Sequence, residues 1–403
     1  MPPFITGVRL KNYKSIEHCS VKLGSLTFLV GPNGSGKSNF LDALRFVSDG
    51  LNTSLEHAIR DRGGVNEVRR RSAGRPTNFV ISLGFTLDEA MHGWYAFRVS
   101  ARKGGGFSVR HEQCCLKYRI GSLVMHHFFD VTNGVVTGLE DPPPALPDRL
   151  YLVNAAGRER FHRVYEALSS MAFYNLNLDV IRMPQPPGSG ERLGRDGMNI
   201  ASVLALLERD HVDTKQRVEE YLTHIAPGIA TVRAKEIGPY ETLEFLQNVE
   251  GSSGPWRFPA ASMSDGTLLA LGVLIALFQR ESGPCRDPRL VGIEEPEFAL
   301  HPAAAGLLLD ALREASTSKQ VVVTSHSPDL LDDKRISEDE ILAVTSSGGS
   351  TQIGQLNLFG RTALREHLST PGDLLRQSAL APEEPVSSLS ERDLFPLPPF
   401  MKK

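Results

Sequence analysis

The stretch LVGPNGSGKSNF, residues 29 to 40, decides the fold class of this chain. Gly31, Gly36, Lys37 and Ser38 satisfy the pattern G-x-x-x-x-G-K-[ST], the phosphate-binding loop motif. The apolar, β-prone run before the loop predicts a buried strand over 25–30, and apolar residues at helical spacing after Ser38 predict a helix. A strand, a glycine-rich turn and a helix are the context that this motif requires.

The chemistry of the loop predicts a site for ATP and Mg²⁺. Backbone N–H groups of such a loop point at the β-phosphate, helped by the dipole of the following helix. Lys37 is expected to contact the β- and γ-phosphates, and the Ser38 hydroxyl is expected to bind Mg²⁺. The residues expected to bind the nucleotide are Gly31, Pro32, Asn33, Gly34, Ser35, Gly36, Lys37, Ser38 and Asn39.

Composition limits the classes of protein to consider. A chain of 403 residues is long for one compact domain, so two structural units are expected. A net charge of −3 argues against capture of nucleic acid by the protein as a whole, although local basic patches stay possible. The four cysteines form no C-x-x-C pair, the N-terminus lacks an export signal, and the longest apolar stretch has 11 residues. We therefore expect a cytoplasmic protein that does not contact a membrane.

Sequence patterns divide the chain into four segments. Residues 1–155 are expected to form the first half of an α/β unit, with an antiparallel meander over 78–137 indicated by alternating apolar residues and hairpin turns. Residues 156–261 are expected to be a mainly helical insertion, with a helical pattern from Arg158 to about Leu246 that a loop at 184–199 interrupts. Residues 262–372 are expected to complete the α/β unit, and 373–403, rich in Pro and Ser, to be a flexible tail.

Two strand ends carry candidate catalytic residues. RLVGIEEPEFALHP places Glu294 and Glu295 at the end of an apolar strand, which is expected to lie beside the loop strand. Glu294 would then hold Mg²⁺ and Glu295 would act as general base toward the attacking water, unless both are ordinary solvated acids. VVVTSH ends another apolar strand at His326, which either senses the γ-phosphate or is structural.

A second helix start is a candidate anion site. In SMSDGTLLALGVLIALF, Ser264, Asp265 and Gly266 precede a strongly apolar helix, and helix N-termini attract anions. The same residues are equally consistent with an unremarkable helix cap. One chain has no need of two phosphate-binding helix ends at a single nucleotide, unless two chains share that nucleotide.

The ordered set of motifs resembles the ABC-type ATPases of the RecF/SMC group, in particular bacterial AAA family ATPases related to the overcoming-lysogenization-defect (OLD) proteins. The resemblance covers about residues 4–375 and includes LKNYKSIEHCSVKLGSLTFLVGPNGSGKSNFLDAL, GRDGMNIASVL and IEEPEFALHP. It implies an α/β ABC-type P-loop ATPase head with a mixed sheet, an antiparallel β-subdomain and a mainly helical insertion. It also implies Walker A roles for Lys37 and Ser38, Mg²⁺ binding by Glu294, a catalytic base at Glu295 and a switch histidine at His326. Ser264, Asp265 and Gly266 would contact the γ-phosphate held by a partner protomer.

The chain departs from that pattern, and from rival classes, in specific ways. Glu294 stands where the group usually has Asp, and no Q-loop glutamine follows the first predicted helix. Ser264 follows Lys37 by 227 residues, more than twice the spacing of transporter ATPases, which leaves room for a sizeable insertion. No Asn-Lys-x-Asp guanine reader is present, and the 77 residues after His326 hold no Toprim nuclease set.

These patterns predict an ATP-dependent dimerising switch. We expect the ATPase component of a bacterial anti-phage defence or DNA repair and maintenance complex, working with a separate effector protein. The alternative is an ATP-gated protein scaffold that never contacts DNA. The basic run is either a solvated face or a contact for DNA phosphates or an acidic partner. Its members are Arg60, Arg62, Arg69, Arg70, Arg71 and Arg75.

Overall fold

A computed structural model describes residues 2–72, 74, 76–121, 123–280, 287–384 and 388–396 of the chain. Its strands are β1 (Ile5–Tyr13), β2 (Ile16–Lys22), β3 (Leu26–Val30), β4 (Asn78–Asp88), β5 (Met91–Ala101), β6 (Phe107–Ile120), β7 (Leu123–Thr132), β8 (Val135–Thr137), β9 (Ala172–Tyr174), β10 (Ile229–Ile237), β11 (Tyr240–Gln247), β12 (Trp256–Pro259), β13 (Leu290–Glu294), β14 (Gln320–Ser325), β15 (Ile341–Ser347) and β16 (Ser350–Gln355). Its helices are α1 (Lys37–Asn52), α2 (Leu55–Arg60), α3 (Val65–Val68), α4 (Tyr151–Ala155), α5 (Glu159–Ser169), α6 (Leu178–Arg182), α7 (Ile200–Asp210), α8 (Val212–Ile225), α9 (Asp265–Phe278), α10 (Ala305–Ser316), α11 (Pro328–Leu331), α12 (Leu358–Arg365), α13 (Pro371–Arg376) and α14 (Glu391–Leu394).

One mixed sheet of 13 strands organises the molecule, in the order β8-β7-β6-β5-β4-β1-β2-β16-β15-β3-β14-β13-β9. The strands from β15 to β9 pair in parallel, and those from β8 to β2 pair antiparallel. The antiparallel strands β4 to β8 confirm the meander predicted for 78–137. Helix α1 packs its apolar side, including Phe40, Leu44 and Val47, into the core beneath them.

The order of the parallel strands corrects one expectation. The acid-bearing strand β13 does not lie beside the loop strand β3, because β14 lies between them. Both β13 and β14 are short, apolar and buried. Hydrophobic periodicity indicates that such strands are buried in a parallel sheet. It carries no information on whether β13 or β14 pairs with the loop strand β3.

The segment predicted as a mainly helical insertion also contains a sheet. Its helices end at Ile225, and β10, β11 and β12 then form a separate antiparallel sheet. The prediction of helix up to Leu246 is therefore wrong from residue 229 onward. Buried Val232 pairs with Phe245 in a period-two pattern, and Gly238 at the turn has a φ of 57°. β9, from the same segment, joins the main sheet, and the boundaries at 155, 261 and 372 stay predictions.

The C-terminal segment expected to be a flexible tail contacts the main sheet at several of its described residues, 373–384 and 388–396, and its flexibility stays a prediction. Glu383 donates its backbone N–H to the Gln355 carbonyl at 2.7 Å, which extends the pairing along β16. Further on, Leu394 and Phe395 are buried against Val80 on the main sheet. These apolar residues among Pro and Ser supply the buried area that holds the segment in place.

The predicted apolar helix after Ser264 is present as α9, and ten of its residues from Leu268 onward are buried. Its flanks contact α8 and α10, so its all-round hydrophobicity reflects burial on every side. Among the helices of the described ranges, none is long and apolar enough to cross a lipid bilayer.

Candidate nucleotide-binding site

The carboxyl ends of β3, β14 and β13 bring the predicted motifs to one edge of the sheet. In the parallel register Glu294 pairs with Thr324, and Ser325 pairs with Val30. The Gly31 N–H points to the Ser325 carbonyl at 3.4 Å, which ties the loop to β14. The loop, the acid pair and His326 are therefore neighbours, as expected for the ends of parallel strands.

The loop geometry explains its two motif glycines. Gly36 caps α1 with a φ of 105°, and a Cβ there would lie 2.1 Å from Thr351 Oγ1. A Cβ on Gly31 would lie 2.0 Å from the Val344 carbonyl oxygen. Neither position can accept a larger residue without moving the backbone of the loop or its neighbours.

Lys37 lies inside the curve of the loop and is 5% exposed. Its Nζ donates to the carbonyls of Gly31 at 2.8 Å and Pro32 at 3.1 Å. Burial lowers the pKa of Lys37, and the carboxylates of Glu295 and Glu297 oppose that shift. The ammonium group is thus held where phosphate oxygens enter a loop of this kind.

A chain of hydrogen bonds that the sequence did not reveal supports the loop from behind. The Thr351 hydroxyl on β16 donates to the Ser35 carbonyl at 2.8 Å. The Thr351 hydroxyl has only one hydrogen, and it is used in that bond. The Ser15 hydroxyl must therefore donate to Thr351 Oγ1 at 2.7 Å. Asn39 Nδ2 completes the chain by donating to Ser15 Oγ at 2.6 Å. Thr351 is therefore a positioning residue, since its hydroxyl holds the loop backbone at Ser35.

Replacing Thr351 with valine is expected to raise the Kd for ATP about tenfold. The change keeps the side-chain shape but leaves Ser15 Oγ–H and the Ser35 carbonyl without this partner, and an unsatisfied buried group costs ~1–3 kcal/mol. Equilibrium titration with a fluorescent ATP analogue measures the effect. Thr345→Val, in the same hairpin, is the matched control, because no hydrogen bond of its hydroxyl to another described residue is recorded. Equal Kd values for the two variants would contradict a positioning role.

The two predicted catalytic side chains meet at this edge. Glu295 Oε1 lies 3.1 Å from His326 Nδ1, and both side chains are partly exposed. Glu295 has a φ of 46°, and its backbone N–H donates to the Thr324 carbonyl at 3.0 Å. A left-handed conformation in a non-glycine residue is costly, and such strain is common where a side chain is aimed into an active site.

Glu297 is a site residue that motif reading missed. Its Oε1 accepts a hydrogen bond from Ser325 Oγ at 2.6 Å. Its Oε2 is buried without a hydrogen-bond partner among the described residues. Burial raises the pKa of Glu297, partly offset by the hydrogen bond from Ser325. The signal in the sequence was a third acid in EEPE, two residues after the proposed base.

The acid expected at the metal position is joined to a basic residue from the insertion. Arg195 Nη2 lies 3.2 Å from Glu294 Oε1. The Arg195 carbonyl accepts from the Asn175 N–H at 2.9 Å, which fixes this part of the GRDGMN loop. Sequence reasoning gave Arg195 no role beyond its place in a resembling motif. The contact shows that the insertion reaches the nucleotide edge of the sheet.

The residues of the second helix start make local contacts within the chain. Ser264 caps α9 by accepting from the Thr267 N–H at 3.2 Å, and Asp265 forms an ion pair with Arg182. A Cβ on Gly266 would lie 2.7 Å from the Ala299 carbonyl oxygen, so this glycine is also explained by close packing. The role of these three residues toward a γ-phosphate stays a prediction.

The residues at this edge fit ATP and Mg²⁺. Ser35 Oγ and Glu297 Oε2 are buried polar atoms without hydrogen-bond partners in the described part of the chain. Ser38 is exposed at the start of α1, and its hydroxyl and the Glu294 carboxylate are hard oxygen donors suited to Mg²⁺. Over the described ranges, no group of three or more His, Cys, Asp or Glu could hold a metal. Mg²⁺ is usually bound by one or two protein oxygens together with phosphates and water.

Comparison with known proteins identifies the fold. Residues 4–81 match the profile described as "AAA ATPase domain", and residues 173–332 match that described as "AAA domain, putative AbiEii toxin, Type IV TA system". A crystal structure of an Smc head bound to the C-winged helix domain of ScpA superposes with a TM-score of 0.55 at 15% identity, covering 89% of this chain and 99% of that one. The fold is that of an SMC-like P-loop ATPase head.

Two further relatives of this ATPase head support that result. An Smc head with an extended coiled coil, derived from Pyrococcus furiosus and bound to the C-terminal domain of ScpA, gives a TM-score of 0.53 at 14% identity, covering 91% of this chain and 100% of that one. The chromosome partition protein Smc of Methanocaldococcus jannaschii is 35% identical over 100 residues, which are 24% of this chain and 8% of that protein. The match therefore spans less than a tenth of that curated relative.

Most described arginines of the basic run form ion pairs or hydrogen bonds within the chain. The Arg62 side chain is 3% exposed and pairs with Asp42 and Asp49 of α1. Arg70 is buried and donates to the Ser15 carbonyl at 2.7 Å, next to the loop-supporting chain. Arg69 and Arg71 pair with residues close in sequence, whereas Arg75 lies outside the described residues. Structural roles explain Arg62 and Arg70, so DNA contact stays a prediction only for the exposed members.

Proposed function

We propose that this chain is an ATP-hydrolysing switch that dimerises through its nucleotide sites. The observation that carries the proposal is the arrangement at the sheet edge. Lys37 lies within the phosphate loop, and the 3.1 Å pair of Glu295 and His326 faces the same edge. A loop that holds phosphates beside an acid–imidazole pair is suited to in-line attack of water on a terminal phosphate.

The side chains divide the work of hydrolysis. Glu295 accepts the proton of the attacking water, and His326 holds the Glu295 carboxylate in position and reads the terminal phosphate. Lys37 neutralises charge on the β- and γ-phosphate oxygens. Mg²⁺, held by Ser38 and Glu294, would polarise the same phosphates. Glu297, hydrogen-bonded to Ser325, fixes the turn that aims Glu295.

Dimerisation supplies the part of the site that one chain lacks. The recorded contacts of Ser264, Asp265 and Gly266 are with Thr267, Arg182 and Ala299, not with the phosphate loop of the same chain. Two chains related by a twofold axis can each present this helix start to the partner's nucleotide, which gives a closed, self-complementary interface. ATP then favours the closed dimer because only there does its γ-phosphate contact the partner's helix start.

The biological setting belongs to the same proposal. We place the dimer in the bacterial cytoplasm, as the ATPase of an anti-phage defence or DNA maintenance complex related to the OLD proteins, with a separate effector. Support comes from the motif resemblance, from the profile description that names a type IV toxin–antitoxin system, and from similar heads described as bound to ScpA domains. The second candidate is an ATP-gated protein scaffold, which the acidic net charge favours.

Replacing Ser264 with arginine is expected to block ATP-driven dimerisation while leaving nucleotide binding in place. The substitution removes the Ser264 hydroxyl that caps α9, and the long arginine side chain occupies the space that the γ-phosphate of the partner's ATP would need. Native mass measurement with ATP and then ADP, in a Glu295→Gln background, reports closure. Ser337 is an exposed serine that caps the short 3-10 helix Glu338–Glu340. Ser337→Arg is therefore the matched control and is expected to dimerise with ATP. If the dimer fraction is the same with ATP and with ADP, and the same in Ser264→Arg as in Ser337→Arg, the oligomer is constitutive and the switch proposal fails.

A further inference from the structure

The outer face of the antiparallel half of the sheet is strongly basic. Residues paired across neighbouring strands share a face, so the register groups side chains from β1 and β4 to β7. Opposite the buried residues of these strands, the outer face carries five cationic side chains, all at least partly exposed. They are Arg9, Lys11, Arg98, Lys117 and Arg119.

Few acids balance these charges. In the described part of β1 and β4 to β7, the outer face carries one carboxylate, Asp130, which accepts hydrogen bonds from His111 and Gln113. Lys117 pairs in register with His92 and His126, and burial, followed by the charge of Lys117, lowers the pKa of His92. The charge is concentrated here although the whole chain has a net charge of −3.

Aromatic rings lie between the cations on this face. Trp94 and Phe128 both pair with Cys115, and both side chains are partly exposed. At a strand spacing of ~4.8 Å, the face from β1 to β7 is about 19 Å wide. Cations that track a phosphate backbone, combined with aromatic rings on which bases stack, are the usual composition of a sequence-tolerant nucleic-acid surface.

The chain places its own acidic segment on one part of this face. Glu391 forms an ion pair of 2.5 Å with Arg98, and Phe395 stacks on His111 with ring centroids 3.8 Å apart. Hydrogen bonds from Ser390, followed by the nearby charge of Arg9, lower the pKa of Asp393. Segment 388–396 therefore sets carboxylates over the cations of β1 and β5, while no ion pair with a described residue is recorded for Lys117 or Arg119.

We propose that this outer face binds the phosphate backbone of nucleic acid, and that segment 388–396 covers its β1–β5 part as an internal competitor. Glu391 and Asp393 occupy positions that phosphates would take. The aromatic rings favour nucleic acid over an acidic protein as the ligand. The surface is separate from the nucleotide site, so the inference holds whether or not the ATPase proposal does.

The test is nucleic-acid binding by the full chain without nucleotide. Fluorescence anisotropy with a 30-base single strand and a 30-base-pair duplex is measured over a range of salt. Lys117→Ala/Arg119→Ala is expected to raise Kd about tenfold and to flatten the dependence of log K on log salt by about 1.4 to 1.8, since each lost phosphate contact removes 0.7–0.9 from the slope. Arg233→Ala/Lys235→Ala, two exposed cations of β10, is the matched control and is expected to match wild type.

A second pair of variants tests the competitor. Glu391→Gln/Asp393→Asn is expected to tighten binding about threefold, because the segment loses its charge attraction to Arg98 and Arg9. An unchanged Kd and salt slope in Lys117→Ala/Arg119→Ala overturns the proposal. An equal loss of nucleic-acid affinity in the β10 control also overturns it, as does a loss of affinity seen only in Arg69→Ala/Arg71→Ala. Binding of polyglutamate but not of either nucleic acid, lost with Lys117 and Arg119, assigns the face to an acidic protein and also overturns it.

Discussion

Replacing Glu295 with glutamine is expected to lower ATP turnover by on the order of a hundredfold or more while ATP binding stays nearly intact. The amide keeps the shape of the side chain but cannot accept the proton of the attacking water, and a positioned general base contributes ~10²–10⁴ in rate. Its neighbour His326 and the turn at Thr324 remain in place, because the change adds no volume. Phosphate release at saturating ATP gives the turnover, and nucleotide titration gives the affinity.

The neighbouring acids make this test specific. Glu297 lies on the same turn with a buried, unpartnered oxygen, so it is the alternative base. Burial raises the pKa of Glu297, and its Oε1 already accepts a hydrogen bond from Ser325 Oγ, whereas Glu295 faces His326. Wild-type turnover in Glu295→Gln together with loss of turnover in Glu297→Gln would transfer the role to Glu297.

Motifs that depend on short stretches of chain could be predicted from the sequence. The loop at 31–38 requires only a strand, a turn and a helix in succession, and the structure confirms all three. Glu295 and His326 were each predicted at a strand end near the nucleotide, and the carboxyl ends of parallel strands share an edge of the sheet. The motifs reach this edge although β14 separates the acid-bearing strand from the loop strand.

Features that depend on long-range pairing could not be predicted. Thr351 supports Ser35 across 316 residues, and no local pattern links two hydroxyl-bearing residues so far apart. The position of β14 between β3 and β13 is likewise invisible to periodicity, because all three strands are buried on both faces. Composition, which averages over Pro and Ser, gave no sign that Leu389, Leu394 and Phe395 pack against the main sheet.

Replacing Lys37 with alanine is expected to raise the Kd for ATP by a hundredfold or more. The Lys37 side chain is buried, and hydrogen bonds from a charged group contribute ~1.5–3 kcal/mol each. Loss of two such bonds to phosphate oxygens corresponds to two or more factors of ten in affinity, at ~1.4 kcal/mol per factor. The change also removes the donor to the Gly31 and Pro32 carbonyls, so the loop loses an internal support.

Charge and loop support can be separated with a second variant. Lys37→Met keeps most of the apolar stem that fills the loop but has no ammonium group, so it is expected to lose ATP affinity as strongly as Lys37→Ala while unfolding at a temperature closer to wild type. Lys235→Ala, which removes an exposed lysine on β10, is expected to bind ATP normally. If Lys37→Met binds ATP as wild type does, the ammonium does not hold the phosphates. The loop would then act through its backbone N–H groups alone, and ATP-driven closure would have to draw its selectivity from the partner's Ser264 and Gly266.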